Sequence, residues 1–141
     1  MSNKRCIEIK SVVIGNDVEG YALKSTPISF LGDVDKDTGR IIAIDNPACG
    51  EVLKDKILVM ERTRGSTVST YVLYALYKRG LAPKAIILSK VDPVLLAGAI
   101  LCDITFVYDI PRDFIDWIRT GDFVEIKSSE GIVRVCREEE L

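Results

Sequence analysis

The fold is decided by residues 56–88, which read KILVMERTRGSTVSTYVLYALYKRGLAPKAIIL. The apolar runs at its two ends, Lys56–Met60 and Ala85–Leu88, are typical of buried β-strands. Between them, apolar side chains recur at helical spacing, at Val68, Val72, Ala75 and Leu76. We predict a helix over Ser66–Arg79, with Ser66 as its N-cap and Gly80 as its C′ residue. Strand, helix and strand in this order predict a parallel pair joined by a right-handed crossover.

The same alternation continues towards both ends of the chain. Downstream, we predict a helix over Pro93–Leu101 that begins at the cap residue Asp92, followed by a strand over Ile104–Tyr108. The other predicted elements are a short helix over Pro111–Arg119 and strands over Arg5–Ile14, Val18–Leu23, Arg40–Ile44, Phe123–Lys127 and Ile132–Val135. Residues 138–140 are expected to fray. No linker or repeat divides the chain, so we expect one α/β domain over residues 1–141, with a mixed sheet and crossover helices.

The composition excludes several classes of function. The 141 residues include 21 acidic and 19 basic ones, and the net charge of −2 argues against a nucleic-acid-binding protein. The longest apolar stretch, residues 94–102, is too short to cross a bilayer, so we expect no membrane association. The absence of histidine excludes Ser-His and Cys-His nucleophile pairs and a phosphohistidine carrier. Any acid–base chemistry must therefore come from another group or another chain.

The four cysteines, Cys6, Cys49, Cys102 and Cys136, lie far apart in the sequence. A zinc or iron–sulfur site usually begins with a close pair such as Cys-x-x-Cys, and no such pair is present. We therefore expect no metal site in this chain. Buried free thiols are the simpler interpretation, and they suit a reducing, cytoplasmic location. The N-terminal residues lack the apolar segment of a signal peptide, which agrees with that location.

The strongest local signal for a site is Arg62–Thr67, which follows a buried strand and opens a helix. A helix N-terminus presents free N–H groups and positive partial charge, and a glycine lets the backbone approach a ligand closely. Arginine adds bidentate donors for carboxylate or phosphate. The segment therefore fits an anion site. Gly65 followed by Ser66 is also an ordinary way to begin a helix, and the pattern alone leaves both interpretations open.

Aromatic and small residues on the two central helices allow further interpretations. Tyr71, Tyr74 and Tyr77 repeat along one side of the first helix. The simpler interpretation is that they widen its core face, and the alternative is a protein interface, where tyrosine is enriched.

Gly98 inside the second helix predicts close packing against a strand or a ligand, because glycine is otherwise costly there.

The segment Arg64-Gly65-Ser66 belongs to an ordered set of motifs that resembles the aconitase X swivel-domain family. The motifs that carry the resemblance are Ile28-Ser29-Phe30-Leu31-Gly32, Val34-Asp35 with Thr38-Gly39, Asn46-Pro47 with Gly50, Lys56-Ile57-Leu58-Val59, Arg64-Gly65-Ser66 with Tyr71-Val72-Leu73, Ala82-Pro83 with Ala85-Ile86-Ile87, and Asp92-Pro93 with Gly98-Ala99. No single motif is unique, but their order along most of the chain is specific.

The resemblance implies a swivelling β/β/α domain that forms a heterodimer with a larger aconitase X-type subunit. That subunit is expected to hold a [4Fe–4S] cluster, and this chain none. The implied activity is a hydro-lyase reaction on a phosphorylated hydroxy acid, converting (R)-5-phosphomevalonate into trans-anhydromevalonate 5-phosphate in a modified mevalonate pathway of isoprenoid synthesis. The resemblance implies that Ser66 is the proton-abstracting base and that Arg64, Gly65 and Thr67 bind the substrate. Arg62 and Ser69 are further candidates for contacts with the substrate tail.

The sequence departs from the family at several positions. Thr63 and residues 69–70 stand where glycine is common, and Asn46 stands where many members have histidine. Val68 occupies the position, two after the serine, where citrate- and isopropylmalate-type enzymes carry arginine, which argues against those substrates. Two alternatives remain. One is a related dehydratase acting on hydroxyproline, and the other is a non-catalytic protein-interaction domain that uses the tyrosine-bearing helix.

Overall fold

The computed structural model describes residues 2–140, and its strands form a mixed sheet flanked by helices. The elements in chain order are β1 (Ser2–Lys10), β2 (Val12–Ile14), β3 (Val18–Lys24), α1 (Phe30–Asp33), β4 (Lys56–Met60), α2 (Ser69–Lys78), β5 (Ala85–Leu88), α3 (Pro93–Leu101), β6 (Thr105–Tyr108), α4 (Arg112–Trp117), β7 (Phe123–Lys127) and β8 (Ile132–Glu140). The strand order across the sheet is β1-β8-β7-β3-β4-β5-β6-β2. Within residues 2–140, no helix is long and apolar enough to cross a membrane.

The centre of the sheet is parallel, as the sequence predicts. β3, β4, β5 and β6 pair in parallel, with Leu58 opposite Ile86 and Ile86 opposite Phe106. Helices α2 and α3 make the two crossovers between β4, β5 and β6. The remaining pairings, β1 with β8, β8 with β7, β7 with β3, and β6 with β2, are antiparallel. The strands predicted over Phe123–Lys127 and Ile132–Val135 are present as β7 and β8, and they pair as an antiparallel hairpin.

The sheet curls until its two edges approach each other at Ser11. β1 and β2 form opposite edges of the sheet, yet only Ser11 separates them in the chain. Two residue steps span at most about 7 Å, so the two edges are held that close at this point. The backbone N–H of Ser11 also donates to the carbonyl of Gly131 in the β7–β8 turn, at 2.9 Å. The strands therefore form a nearly closed layer with an apolar interior.

Alternate side chains of the central strands point to opposite faces of the sheet and pack into two separate hydrophobic cores. Leu58 and Met60 point towards the helices and pack with Leu73, Leu76 and other buried residues. Ile57 and Val59 point the other way, into a second cluster with residues of β7, β8 and α4. All four strand side chains are fully buried. The layers are therefore strand, strand and helix, which agrees with the β/β/α architecture expected for the chain.

Helices α2 and α3 pack in close contact at Gly98. A Cβ atom built on Gly98 would lie 3.0 Å from the Cα of Thr70, so a larger residue would force the two helices a few tenths of an ångström apart. The hydroxyl of Thr70 donates to the carbonyl of Val94 at 2.6 Å and joins the same two helices. Close packing at Gly98 is therefore confirmed, although the neighbour is a helix and not the strand or ligand that we expected.

A buried ion pair fixes the end of α4 against the antiparallel half of the sheet. Two nitrogens of Arg137 donate to the carboxylate of Asp122, at 2.7 and 3.1 Å, and both side chains are less than a tenth exposed. The guanidinium also stacks 3.7 Å above the ring of Trp117. Nearby, the ammonium of Lys24 donates to the carbonyls of Ile115 and Ile118, and burial lowers its pKa.

Three expectations at the periphery of the sheet are wrong. The strand predicted over Arg5–Ile14 is interrupted at Ser11 and divides into β1 and β2, which lie at opposite edges of the sheet. Residues 40–44 make only isolated bridges, Val34 to Ile41 and Arg40 to Val52, and the chain then turns through residues 44–50. Residues 138–140, expected to fray, continue β8 and pair with β1. Opposite charges stabilise this pairing, because Lys4 faces Glu138 and the guanidinium of Arg5 lies 3.7 Å from the carboxylate of Glu139.

The expectation of free thiols is wrong for two of the four cysteines. Cys6 and Cys136 lie opposite each other in the β1–β8 register and form a disulfide. Cys102 is a buried free thiol, as expected, whereas the free thiol of Cys49 is exposed. The cysteines therefore give no support to a reducing compartment.

A candidate active-site loop

The candidate site lies at the carboxyl edge of the parallel strands, where ligands commonly bind in α/β sheets. Residues 61–68, here called the serine loop, connect the end of β4 to α2. The carbonyl of Glu61 accepts hydrogen bonds from the N–H groups of Ser89 and Lys90, which follow β5. The carbonyl of Ser89 in turn accepts from the N–H of Asp109, which follows β6. Three consecutive strand ends are therefore joined into one rigid edge.

Thr63 ties the serine loop to the start of α3. Its hydroxyl donates to one carboxylate oxygen of Asp92 at 2.5 Å and accepts from the N–H of Gly65 at 3.2 Å. The other oxygen of Asp92 accepts from the N–H groups of Val94 and Leu95, which confirms the predicted N-cap. Thr63, which stands where glycine is common in the family, thus anchors the serine loop through its hydroxyl. No local sequence pattern predicts this contact, because Thr63 and Asp92 are 29 residues apart.

Arg64 extends the anchoring of the serine loop towards α1. Its backbone N–H donates to the carbonyl of Ile28 at 2.8 Å. Its guanidinium lies 3.4 Å from the carboxylate of Asp33, which also accepts from the N–H of Ser29 at 2.7 Å. The Arg64 side chain is 64% exposed, so the ion pair is weak and the guanidinium is available to a ligand. The sequence did not predict that Asp33 lies at the candidate site.

Ser66 lies in a turn before the helix and does not serve as its N-cap. Helix α2 begins at Ser69, with Val68 at the cap position, so the predicted start is wrong by three residues. The Ser66 hydroxyl oxygen accepts from the N–H of Val68 at 3.3 Å, as serine does in tight turns. The Ser66 carbonyl accepts from the Ser69 hydroxyl at 3.2 Å. The predicted end of the helix is confirmed, because Gly80 has a φ of +71° and follows the C-cap Arg79.

The backbone around Ser66 is open to a ligand. Gly65 has a φ of +76°, and a Cβ built there would meet no atom within 4 Å. Among the described residues, the backbone N–H groups of Ser66, Thr67 and Ser69 donate no hydrogen bond to a backbone or side-chain acceptor. These groups precede or open the ten-residue helix α2, whose dipole adds positive partial charge. An oxyanion at this position would therefore be stabilised.

The other residues that the sequence singled out occupy different environments. Arg62 and Thr67 are exposed beside Ser66, whereas Ser69 is buried and its hydroxyl is engaged by the loop backbone. Ser69 therefore supports the turn, and its expected contact with a substrate tail is not compatible with this burial. Asn46 is also buried, and its side chain bonds the Ser25 hydroxyl and the Ala48 N–H, both at 2.8 Å. It thereby fixes the segment after β3 whose Ile28 carbonyl holds Arg64.

The three tyrosines of α2 point outwards. Tyr71, Tyr74 and Tyr77 are 75%, 39% and 46% exposed, whereas Leu73 and Leu76 fill the core side of the helix. The interpretation that the tyrosines widen the core face is therefore wrong. Tyr71 lies two residues into α2, close in sequence to Ser66. The aromatic surface thus begins beside the serine loop.

The cysteine, aspartate and glutamate side chains of residues 2–140 do not gather at any point into a metal site. Among the described residues, no three side chains of cysteine, aspartate, glutamate or histidine are grouped as metal ligands. Two of the four cysteines are joined to each other, and the other two differ in exposure, one at the surface and one in the helix-side core.

Several known proteins are similar to this chain over most of its length. A family model described as the aconitase X swivel domain matches residues 7–135. A Thermococcus sibiricus protein named phosphomevalonate dehydratase small subunit is 44% identical over 124 residues, covering 87% of this chain and 93% of that protein. A Pyrococcus abyssi protein of the same name is 42% identical over 131 residues, covering 92% and 98%. The holo-form crystal structure of Thermococcus kodakaraensis aconitase X superposes with a TM-score of 0.84 and 36% identity, covering 92% and 98% of the two chains.

Proposed function

The chain belongs to the aconitase X swivel-domain family, and from this premise we propose that it is the small subunit of a phosphomevalonate dehydratase. The observation that carries the proposal is the likeness, over most of both chains, to proteins that bear this name. As such a subunit, the chain is part of a hydro-lyase that removes water from (R)-5-phosphomevalonate to give trans-anhydromevalonate 5-phosphate. We further propose that residues 1–141 act as one swivel-like domain in the cytoplasm.

Ser66 is the proposed base of this reaction. The proton to be removed lies on the carbon next to the substrate carboxylate, and the hydroxyl leaves the β-carbon as hydroxide, so that the proton and the hydroxide together make up the water that is lost. A serine hydroxyl is a poor base in water, so its alkoxide form must be stabilised by its surroundings. The Val68 N–H donates to the Ser66 oxygen, and the start of α2 adds positive partial charge. The partial burial of Ser66 strengthens both interactions by excluding water.

Arg64, Gly65 and Thr67 are the proposed substrate-binding residues around Ser66. The Arg64 guanidinium has only a weak partner in Asp33, so it can exchange that partner for a substrate carboxylate and bind it with two parallel hydrogen bonds. Gly65 leaves open space above the backbone, which allows close approach of the substrate. Thr67 is exposed and offers a hydroxyl donor on the other side of Ser66.

The rest of the active site is proposed to come from a larger aconitase X-type subunit in a heterodimer. The expected [4Fe–4S] cluster belongs to that subunit, because the cysteines of this chain do not fit one. None of the cluster's chemistry is assigned to this chain. The serine loop lies at an exposed edge of the sheet, so it can reach a site formed on another protein. The outward tyrosines of α2 lie beside this edge and suit a protein contact.

Reconstitution with the larger subunit tests the proposed function. Both chains would be co-expressed, purified without oxygen and incubated with (R)-5-phosphomevalonate, and mass spectrometry would follow the loss of one water. We expect product from the complex and none from either chain alone. Turnover by the larger subunit alone would contradict the proposal. A complex that is inactive on phosphomevalonate but dehydrates hydroxyproline would support the alternative substrate instead.

A further inference from the structure

A cleft lined by basic residues lies directly beside the serine loop. It has a volume of about 250 Å³ and is formed by residues 62–65 on one side and residues 90–93 on the other. We call it the basic cleft, because Arg62, Arg64 and Lys90 all line it. Ser66 directly follows the lining residue Gly65 in the chain, so the Cα atoms of these two residues lie about 3.8 Å apart.

The positive charges of the basic cleft are largely uncompensated. Among residues 2–140, Arg62 and Lys90 form no ion pair, and Arg64 has only its weak contact with Asp33. Asp92 also lines the cleft, but its carboxylate is occupied by the Thr63 hydroxyl and by two backbone N–H groups. The cleft therefore contains three cations and one carboxylate that is already hydrogen-bonded.

This arrangement fits a dianion better than a single carboxylate. Like charges gathered in one cleft repel each other until an anion binds between them. A phosphate carries close to two negative charges and three acceptor oxygens, which match an arginine fork and a lysine ammonium together. The cations lie on two different loops, after β4 and after β5, so they can contact a phosphate from opposite sides.

We propose that the basic cleft binds the phosphate group of the substrate through Arg62 and Lys90. The cleft thereby determines the preference of the enzyme for phosphorylated over unphosphorylated hydroxy acids. The inference rests on the proposed function, because the proposed function places the substrate carboxylate, and the acidic proton on the carbon next to it, at Ser66. The phosphate lies at the other end of the substrate chain, and Lys90 lines the basic cleft from a different loop than the one that holds Ser66.

The test measures substrate preference in the complete complex of both subunits. Lys90→Gln and Arg62→Gln each remove one charge from the basic cleft. Lys84→Gln is the matched control, because Lys84 is an exposed lysine just before β5, at the opposite edge of the parallel strands. The readout is the ratio of kcat/KM for (R)-5-phosphomevalonate to kcat/KM for unphosphorylated mevalonate. A second readout is competitive inhibition by inorganic phosphate.

We expect Lys90→Gln and Arg62→Gln each to lower this ratio roughly tenfold to a hundredfold, as for the loss of one charge-assisted contact. The inhibition constant of inorganic phosphate should rise by a similar factor, and Lys84→Gln should change neither quantity. Equal losses on both substrates, or an unchanged inhibition constant, would overturn the inference while leaving the proposed function in place. Failure of the proposed function is distinguishable, because the unaltered complex would then not dehydrate phosphomevalonate at all.

Discussion

Replacing Asp122 by asparagine should destabilise the fold severely, because it leaves the charge of Arg137 buried without a partner. The Arg137 side chain is 8% exposed, and its guanidinium is held over Trp117, so it cannot easily move into water. Breaking one side of a buried ion pair costs about 3–5 kcal/mol. The substitution also weakens the hydrogen bond that Asp122 accepts from the N–H of Arg119 at 2.8 Å.

The ion pair between Asp37 and Arg79 provides a matched control. A guanidinium nitrogen of Arg79 lies 2.6 Å from a carboxylate oxygen of Asp37, and the matching distance between Arg137 and Asp122 is 2.7 Å. The side chains of Asp37 and Arg79, however, are 63% and 52% exposed. Asp37→Asn removes the same charge and changes the same chemical group. Because water screens this pair, we expect a loss of less than about 1 kcal/mol. Burial is thus the main difference between the two substitutions.

Urea unfolding of the three proteins, followed by circular dichroism, measures both effects. We expect Asp122→Asn to lower the urea midpoint by more than about 1 M, with an unchanged m-value, and Asp37→Asn to move it only slightly. If Asp122→Asn stays within about 1 kcal/mol of the parent, or if the two variants lose equal stability, then burial does not govern the strength of these pairs and the reasoning is refuted.

Three further predictions concern packing, a buried amide and the thiols. Gly98→Val should cost about 1–3 kcal/mol of stability, because its side chain would clash with the backbone of Thr70, and an unchanged melting temperature would contradict this. Asn46→Ala should lower the free energy of unfolding by about 1–3 kcal/mol, measured by thermal unfolding, because it leaves buried polar groups unpaired. A loss of stability near zero would show that water replaces the amide. In the folded, oxidised protein, a thiol reagent should label Cys49 quickly and Cys102 only after unfolding, because burial raises the pKa of the Cys102 thiol and shields it. Rapid labelling of both would contradict the burial of Cys102.

The central part of the fold was predictable because its signals are local. The apolar runs of β4 and β5 and the cap at Asp92 each follow from a few neighbouring residues. The closure of the sheet was not predictable, because β1 pairs with β8 from the other end of the chain. The disulfide between Cys6 and Cys136 depends on that same long-range register. The strand predicted at residues 40–44 failed because its residues find only isolated bridging partners.

The candidate site was predictable in position but not in structure. The order strand, Gly65-Ser66 and helix identified the serine loop, since such a loop must lie at the carboxyl edge of the sheet. The contacts that hold the loop come from residues about 30 positions away, namely Asp33 and Asp92. The outward direction of the tyrosines also depends on which face of α2 the sheet covers. A sequence pattern alone does not fix either feature.

The most direct test of the account is the turnover of Ser66→Ala in the complete complex, because Ser66 is the proposed base. Ser128→Ala is the control, since Ser128 lies in the β7–β8 turn, at the opposite edge of the sheet from the serine loop. We expect Ser66→Ala to assemble with the larger subunit but to lose at least roughly a hundredfold in kcat on (R)-5-phosphomevalonate, and Ser128→Ala to keep its kcat. A Ser66→Ala complex that retains near-normal kcat would contradict the account and leave Ser66 as a residue of the turn before α2.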